Sequence, residues 1–312
     1  MRGEARASFP KTYEIFFFSC LFIAFLNFVP ATTFAQLLLE EGKVTLNVHP
    51  GETVMNSLSV HNTSPDESIG VKVYWEDFVY VPPFDGKKNF LPPGATDYSL
   101  NKWISFSPTE FTLAPNTKKK ITYSMKIPRN IQGGYYGVLF FEQASNNKQE
   151  TTGVRLISRV GCLFFVEAKD KIKKARVSDI KFVIELPSSK QNSKTLASVD
   201  SASKSFRVGK EKLNNNHMEG NFSNSGNIVL IPEGVYYFMS KEDTIVDRGE
   251  IKKLYLPPKG IGTFTVDLPN NLKEGKYTLV ITFDLQEGDS VVKEIDFSKG
   301  PSSQIKILQE RD

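Results

Sequence analysis

Cysteine, histidine and tryptophan are all scarce in this chain of 312 residues, which has two Cys, three His and two Trp. So few cysteines exclude a disulfide scaffold, and so few histidines leave little material for a metal centre or for His-based proton transfer. Neither sign of charge dominates, because 39 Lys and Arg face 35 Asp and Glu for a formal net charge of +4. That balance argues against a nucleic-acid surface, although the pI of about 8.8 leans basic. No helix-period apolar pattern of useful length is present, and beyond Ala35 there is no long hydrophobic run, so no integral membrane segment is expected there.

The one long apolar run, Ile15 to Val29, follows Arg2, Arg6 and Lys11 and precedes the small-residue pattern Thr33-Phe34-Ala35. These are the three regions of a secretory signal peptide, and the run is shorter than the roughly 20 residues that span a bilayer. Residues 1–35 are therefore expected to direct export and to be removed after Ala35. Cys20 leaves with them. Cys162 then stands alone and cannot close an internal disulfide; its neighbours Val160, Leu163, Phe164 and Phe165 predict a buried, inert thiol.

The rest reads as β structure. With 24 Phe and 11 Tyr, short β-branched and aromatic runs are broken every 8–12 residues or so by Pro, Gly and Asn clusters. Seven strands are predicted at Val44–Val48, Met55–His61, Val71–Tyr80, Trp103–Ser107, Lys120–Ile127, Gly134–Gln143 and Val154–Ala168. A second series runs through Ala175–Leu186, Ser205–Gly209, Met218–Ser223, Gly234–Ser240, Thr244–Ile251, Gly262–Leu268, Lys276–Asp284 and Val291–Phe297. Charged residues Lys169–Lys174 form an interdomain linker between them. The expected fold is all-β, with two tandem immunoglobulin-like β-sandwich domains at 36–170 and 171–312. Paired prolines at Pro82-Pro83 and Pro92-Pro93 bracket a long loop, Ser188–Lys204 reads as a mobile surface loop, and Lys118-Lys119-Lys120 as a solvated turn.

Motifs of catalysis are missing. His49, His61 and His217 read as exposed turn residues without metal spacing, and no nucleophile elbow, phosphate loop or dinucleotide fingerprint occurs. The glycines of Gly133-Gly134-Tyr135-Tyr136-Gly137 precede a strand, where they permit a tight turn and close packing. No catalytic residue, metal ligand set, cofactor or nucleic-acid partner is expected, and the chain reads as a non-enzymatic protein.

Four stretches of the first domain carry a family likeness: Leu58–Ser64, Trp103–Pro108 with Phe111, Leu113 and Pro115, Ile127-Pro128, and Gly133–Phe141, followed by the long run Val154–Val166. In this order they resemble the first domain of periplasmic pilus-assembly chaperones, the PapD-like proteins. Asn224–Asn227, Pro232–Gly234, Leu256–Pro258 and Leu272–Tyr277 resemble the second sandwich of similar secreted proteins. The resemblance implies a periplasmic chaperone-like or scaffold protein of the cell envelope. It would bind an exported protein or pilin-like subunit by edge-strand pairing, with a pair of cleft cations holding the subunit's terminal carboxylate. Carried over, it assigns partner binding to Val154 and Leu156, which alternate on the last strand, and to Arg159 as that strand's basic residue. The matching early-strand basic position falls near Leu46, and the nearest cation is Lys43. A second class, a cell-surface adhesion or glycan-binding module, would use Tyr74, Trp75, Phe78, Tyr80 and the loop Pro82–Pro93 for stacking on sugars.

Overall fold

Alternation of apolar and polar residues becomes strand after strand in the computed structural model, which describes residues 37–144, 157–184, 216–270, 272–301 and 304–312. The first sandwich comprises Leu37–Leu39 (β1), Lys43–Val48 (β2), Thr53–Asn62 (β3), Ile69–Tyr80 (β4), Lys88–Leu91 (β5), Ile104–Ser107 (β6), Glu110–Leu113 (β7), Lys118–Lys126 (β8), Gly134–Ala144 (β9) and Arg159–Ala168 (β10). One sheet has the order β1-β3-β8-β6; the other is β2-β10-β9-β4-β5, with β7 also on β4. Between them, Leu58, Val60, Val71, Val73, Trp75, Ile121, Tyr123, Phe141 and Phe164 fill the core.

The second of these sheets is apolar on both faces, as a sheet covered on both sides must be. Away from the core, Phe78, Tyr80, Tyr136, Val138, Phe140 and Phe165 form a separate buried layer, against which Tyr98 and Phe84 of the β4–β6 connection and Val229 and Tyr255 of the second sandwich pack. Asp77 anchors that connection. It is fully buried and accepts from Trp75 Nε1 at 3.1 Å, from the Thr96 amide at 3.0 Å and from Ser99 Oγ at 2.7 Å.

The second sandwich comprises Ala175–Val183 (β11), His217–Asn224 (β12), Glu233–Ser240 (β13), Ile245–Ile251 (β14), Ile261–Asp267 (β15), Gly275–Gln286 (β16), Asp289–Lys299 (β17) and Ile305–Arg311 (β18). Its sheets are β11-β12-β15 and β14-β13-β16-β17-β18, closed over Met218, Phe222, Phe238, Phe264, Leu279, Ile281, Phe283 and Phe297. The two-residue turn Glu287-Gly288 that joins β16 to β17 has positive φ at both positions, 60° and 91°, the twist a tight hairpin needs.

The two sandwiches touch on either side of the connecting residues. Asn227 O accepts from the Gly134 amide at 2.9 Å, and its Oδ1 accepts from the Ile172 amide at 2.6 Å. Gly133 lies at φ 69°, and a Cβ there would come within 2.5 Å of Asn227 O, so the expected tight glycine turn also admits the second sandwich. Across the other contact the Tyr255 amide donates to Phe84 O at 2.8 Å, and the Tyr80 and Tyr255 rings lie 5.4 Å apart.

Several expectations are corrected. The loop between the paired prolines contains β5, whose Phe90 pairs with Phe78. Strands β1, β7 and β18 are additions, and Lys118-Lys119-Lys120 opens β8 instead of forming a turn. There Lys118 pairs with Glu40, and Lys119 lies 5.4 Å from the Phe111 ring. His217 begins β12 and its Nε2 contacts Glu219 at 3.0 Å, so it is a strand residue rather than an exposed turn residue. The last strand of the first series begins at Arg159; residues 154–156 lie outside the described residues, as do 1–35, the loop 188–204 and the strand expected at 205–209.

Candidate functional site: a sheet edge and the cleft below it

Strand β10 is only partly covered. It pairs along its length with β9, but on its other side the parallel β2 reaches only Leu163–Ala168. The Leu163 amide donates to Gly42 O at 3.0 Å, whereas Ser158 O accepts from the Gln143 amide of β9 at 3.0 Å. Since successive peptide groups in a strand point to opposite sides, the N–H and C=O of Arg159 and Gly161 face away from β9, above the point where β2 ends. Among the described residues no strand pairs with this stretch on that side, although β1 lies near β10, so it has the character of a sheet edge, the feature that accepts an added strand.

Arg159 stands on this edge with its side chain laid across the sheet. Its Nη1 donates to Tyr74 Oη and to Glu76 Oε1, both at 3.1 Å, and Tyr74 Oη donates to Glu142 Oε2 at 2.6 Å. The guanidinium lies 4.0 Å from the Phe140 centroid and 5.3 Å from that of Phe90. The Tyr74 hydrogen bond, with the Glu76 carboxylate nearby, raises the guanidinium above its ordinary value, and burial together with Glu142 raises the Tyr74 hydroxyl. Val154 and Leu156 lie outside the described residues.

The cleft between the sandwiches is elsewhere, at the far end of β10. It is a cavity of about 130 Å³ lined by Lys43, Thr45 and Asn47 of β2, Phe165 and Glu167 of β10, Lys173, Ile228–Ile231 and Leu285–Glu287. Arg159 is not among these residues. The cations at the cleft are Lys43, 5.0 Å over the Phe165 ring, and Lys173, whose Nζ donates to Leu285 O at 3.1 Å and pairs with Glu287 at 3.2 Å. Sequence reading missed Lys173, because its partners come from a hairpin more than a hundred residues later; only the density of lysines in the linker hinted at it.

The aromatic platform for sugars does not exist. Trp75, Phe78 and Tyr80 are buried in two apolar clusters, and Tyr74 is tied to Glu142 and Arg159. Cys162 is fully buried, and burial, reinforced by the Glu41 carboxylate, pushes its thiol up to about 12. Among the described residues no three His, Cys, Asp or Glu side chains are grouped to hold a metal ion, and no helix is long and apolar enough to cross a membrane.

These features define an all-β chain of two tandem immunoglobulin-like sandwiches with an open strand edge on the first and a small cleft between them. Solved structures similar to it include fimbrial chaperones. The class 5 fimbriae chaperone CfaA is 14% identical, with a TM-score of 0.45 over 88% of this chain and 100% of that one. The Escherichia coli chaperone DraB is 13% identical, with a TM-score of 0.39 over 88% and 97%. A chain from the Salmonella enterica complex of SafA pilin with the SafB chaperone is 13% identical, with a TM-score of 0.40 over 84% and 97%. No family model and no curated protein sequence matches the chain.

Proposed function

We propose that the chain is an exported, non-enzymatic periplasmic chaperone that binds a pilin-like subunit by strand addition at the open edge of β10. Residues 1–35 act as the export signal, and residues 36–170 and 171–312 form the two domains. The observation that carries this reading is the stretch Arg159–Cys162, where among the described residues β10 is paired on one side only. Main-chain groups there supply affinity, and alternate side chains of the arriving strand supply register. Val154 and Leu156 are its partner-contacting residues, and Arg159 stands on the same edge. The partner class is the one named for the similar Salmonella complex, a pilin held by its chaperone.

The test is co-expression with each pilin-like subunit of the source organism, followed by co-purification. A stable one-to-one complex is expected, and Leu156→Asp should weaken it roughly a hundredfold by bringing a carboxylate to an apolar interface. Capture that is indifferent to Leu156→Asp would overturn strand addition at this edge.

A further inference from the structure

The side chain of Arg159 spans the sheet on which the proposed edge is built. It starts on β10, passes over Phe140 of β9, and ends on Tyr74 and Glu76 of β4 with Phe90 of β5 beside it. Gly161 makes room for this. A Cβ at Gly161 would stand 2.8 Å from Val138 Cγ2 and 2.9 Å from Phe140 Cε1, so the bare backbone lets the Phe140 ring lie against β10 directly below the guanidinium. Below Leu163 the strand is held from both sides by β2 and β9; above it, among the described residues, β9 alone supplies main-chain pairing.

We propose that Arg159 is a positioning residue that braces the unpaired stretch Arg159–Cys162 from across the sheet, keeping it flat and in register for an incoming strand. The role rests on the edge-pairing reading above, and it differs from direct contact with a partner's carboxylate. Both N–H groups of Arg159 Nη1 are directed to acceptors within the chain, and the ring stack fixes the plane of the guanidinium. A strand that is ordered before its partner arrives spares the ordering cost at association, so the brace speaks to affinity through the free state.

The location of the acceptors makes the idea testable. Tyr74 and Glu76 lie on β4, separated from β10 by the whole width of β9, so a strand added at the β10 edge is two strands away from them. Replacing both, Tyr74→Phe with Glu76→Ala, removes the acceptors of Arg159 while leaving the edge residues intact.

Amide exchange of the isolated full chain is the first readout, taken at Val160 and Cys162, whose N–H groups point to β9. Arg159→Ala and the β4 double variant should each speed exchange there roughly tenfold or more, with β16 and β17 unchanged as an internal reference. Capture of the co-expressed subunit is the second readout, and both variants should weaken it in parallel. Unchanged exchange in the β4 double variant overturns the brace. So does weakened capture in Arg159→Ala alone, which would assign Arg159 to direct contact and leave strand addition standing. If Leu156→Asp leaves capture intact, strand addition is what fails, and exchange alone decides the brace.

Discussion

In the first sandwich Asn62 ends β3 fully buried, donating from Nδ2 to Glu67 O, Leu113 O and Ala114 O and accepting from the Ser64 amide. In the second, Asn224 ends β12 in the same way, donating to Ile228 O and Leu256 O and accepting from the Gly226 amide. Both domains thus close one corner with one buried amide. They differ in what covers them. Strand β9 buries both its faces for most of its length, whereas β16 alternates between buried and more exposed positions, so the first sandwich needs an outer layer that the second lacks. Part of that layer belongs to the second sandwich, through Val229 and Tyr255. The first domain, which carries the open edge, is therefore the one whose integrity depends on its neighbour.

Removing the corner amides tests the shared half of this comparison, and at Asn62 the effect should be as large as any. Ala114 O keeps its bonds from Thr117 and Leu256 O its bond from the Leu230 amide, so at roughly 1 kcal/mol for each partner left unsatisfied Asn62→Ala should cost about 3 kcal/mol and Asn224→Ala about 2 kcal/mol in denaturant unfolding. Equal costs that do not follow the number of partners would mean the corners are held by packing instead. Asp77→Ala tests the half that differs. It strands the Trp75 indole N–H, the Thr96 amide and the Ser99 hydroxyl, for about 3 kcal/mol, and should free residues 92–103 to exchange while the core of the second sandwich keeps its protection. Rapid exchange throughout both domains in this variant would show that the outer layer is not a separate unit.

Much of this architecture is written in alternation. Ile69–Tyr80 and Met218–Ser223 switch faces every residue, and their strands lie where that pattern puts them. The near-continuous apolar run of Gly134–Phe141 also signals a strand buried on both faces, and so an outer layer. What escaped is what long-range pairing decides. Strand β5 sits among prolines and begins with Lys88 and Asn89, and it exists because Phe90 meets Phe78. Arg159 could be placed on the last strand from sequence, but only its pairing with Glu142 locates it at the end of β10 remote from the cleft. The aromatic run Tyr74–Tyr80 suggested a surface for sugars because residue type does not report which side of a strand is covered.

Cys162 offers a milder probe of the first core. Cys162→Ser exchanges a buried thiol, whose Sγ reaches Leu163 O at 3.9 Å, for a hydroxyl that costs more to take out of water, at about 2 kcal/mol. In the native chain at pH 8 a thiol held near 12 leaves very little thiolate, so alkylation should proceed only as fast as the first sandwich opens. Alkylation as fast as that of an unfolded control would place Cys162 at the surface and refute its assignment to the core.

The smallest effect is expected at the joint that makes one sandwich depend on the other. Glu287 sits at the tip of the β16–β17 hairpin, pairing with Lys171 at 2.8 Å and Lys173 at 3.2 Å. Those two ammonium groups, Lys171 first, hold its carboxyl below its ordinary value of 4.5. Because the folded value is the depressed one, the contribution is fully present above the unfolded value near 4.5 and is lost as pH falls through the folded value. Exchange at the Ile172 and Gly134 amides, which bond to Asn227, should therefore stay constant from pH 7 to about 5 after correction for intrinsic rates and rise on further acidification. Glu287→Gln should show the raised opening already at pH 7 and a flatter acid response, while the cores of both sandwiches keep their protection. The two lysines remain beside carboxylate and carbonyl oxygens in that variant, since Lys171 also meets Glu167 and Lys173 also meets Leu285 O, which is why the change is modest. Identical acid responses in Glu287→Gln and the parent chain would mean that Asn227 and the Tyr80–Tyr255 contact hold the joint without help from this carboxylate.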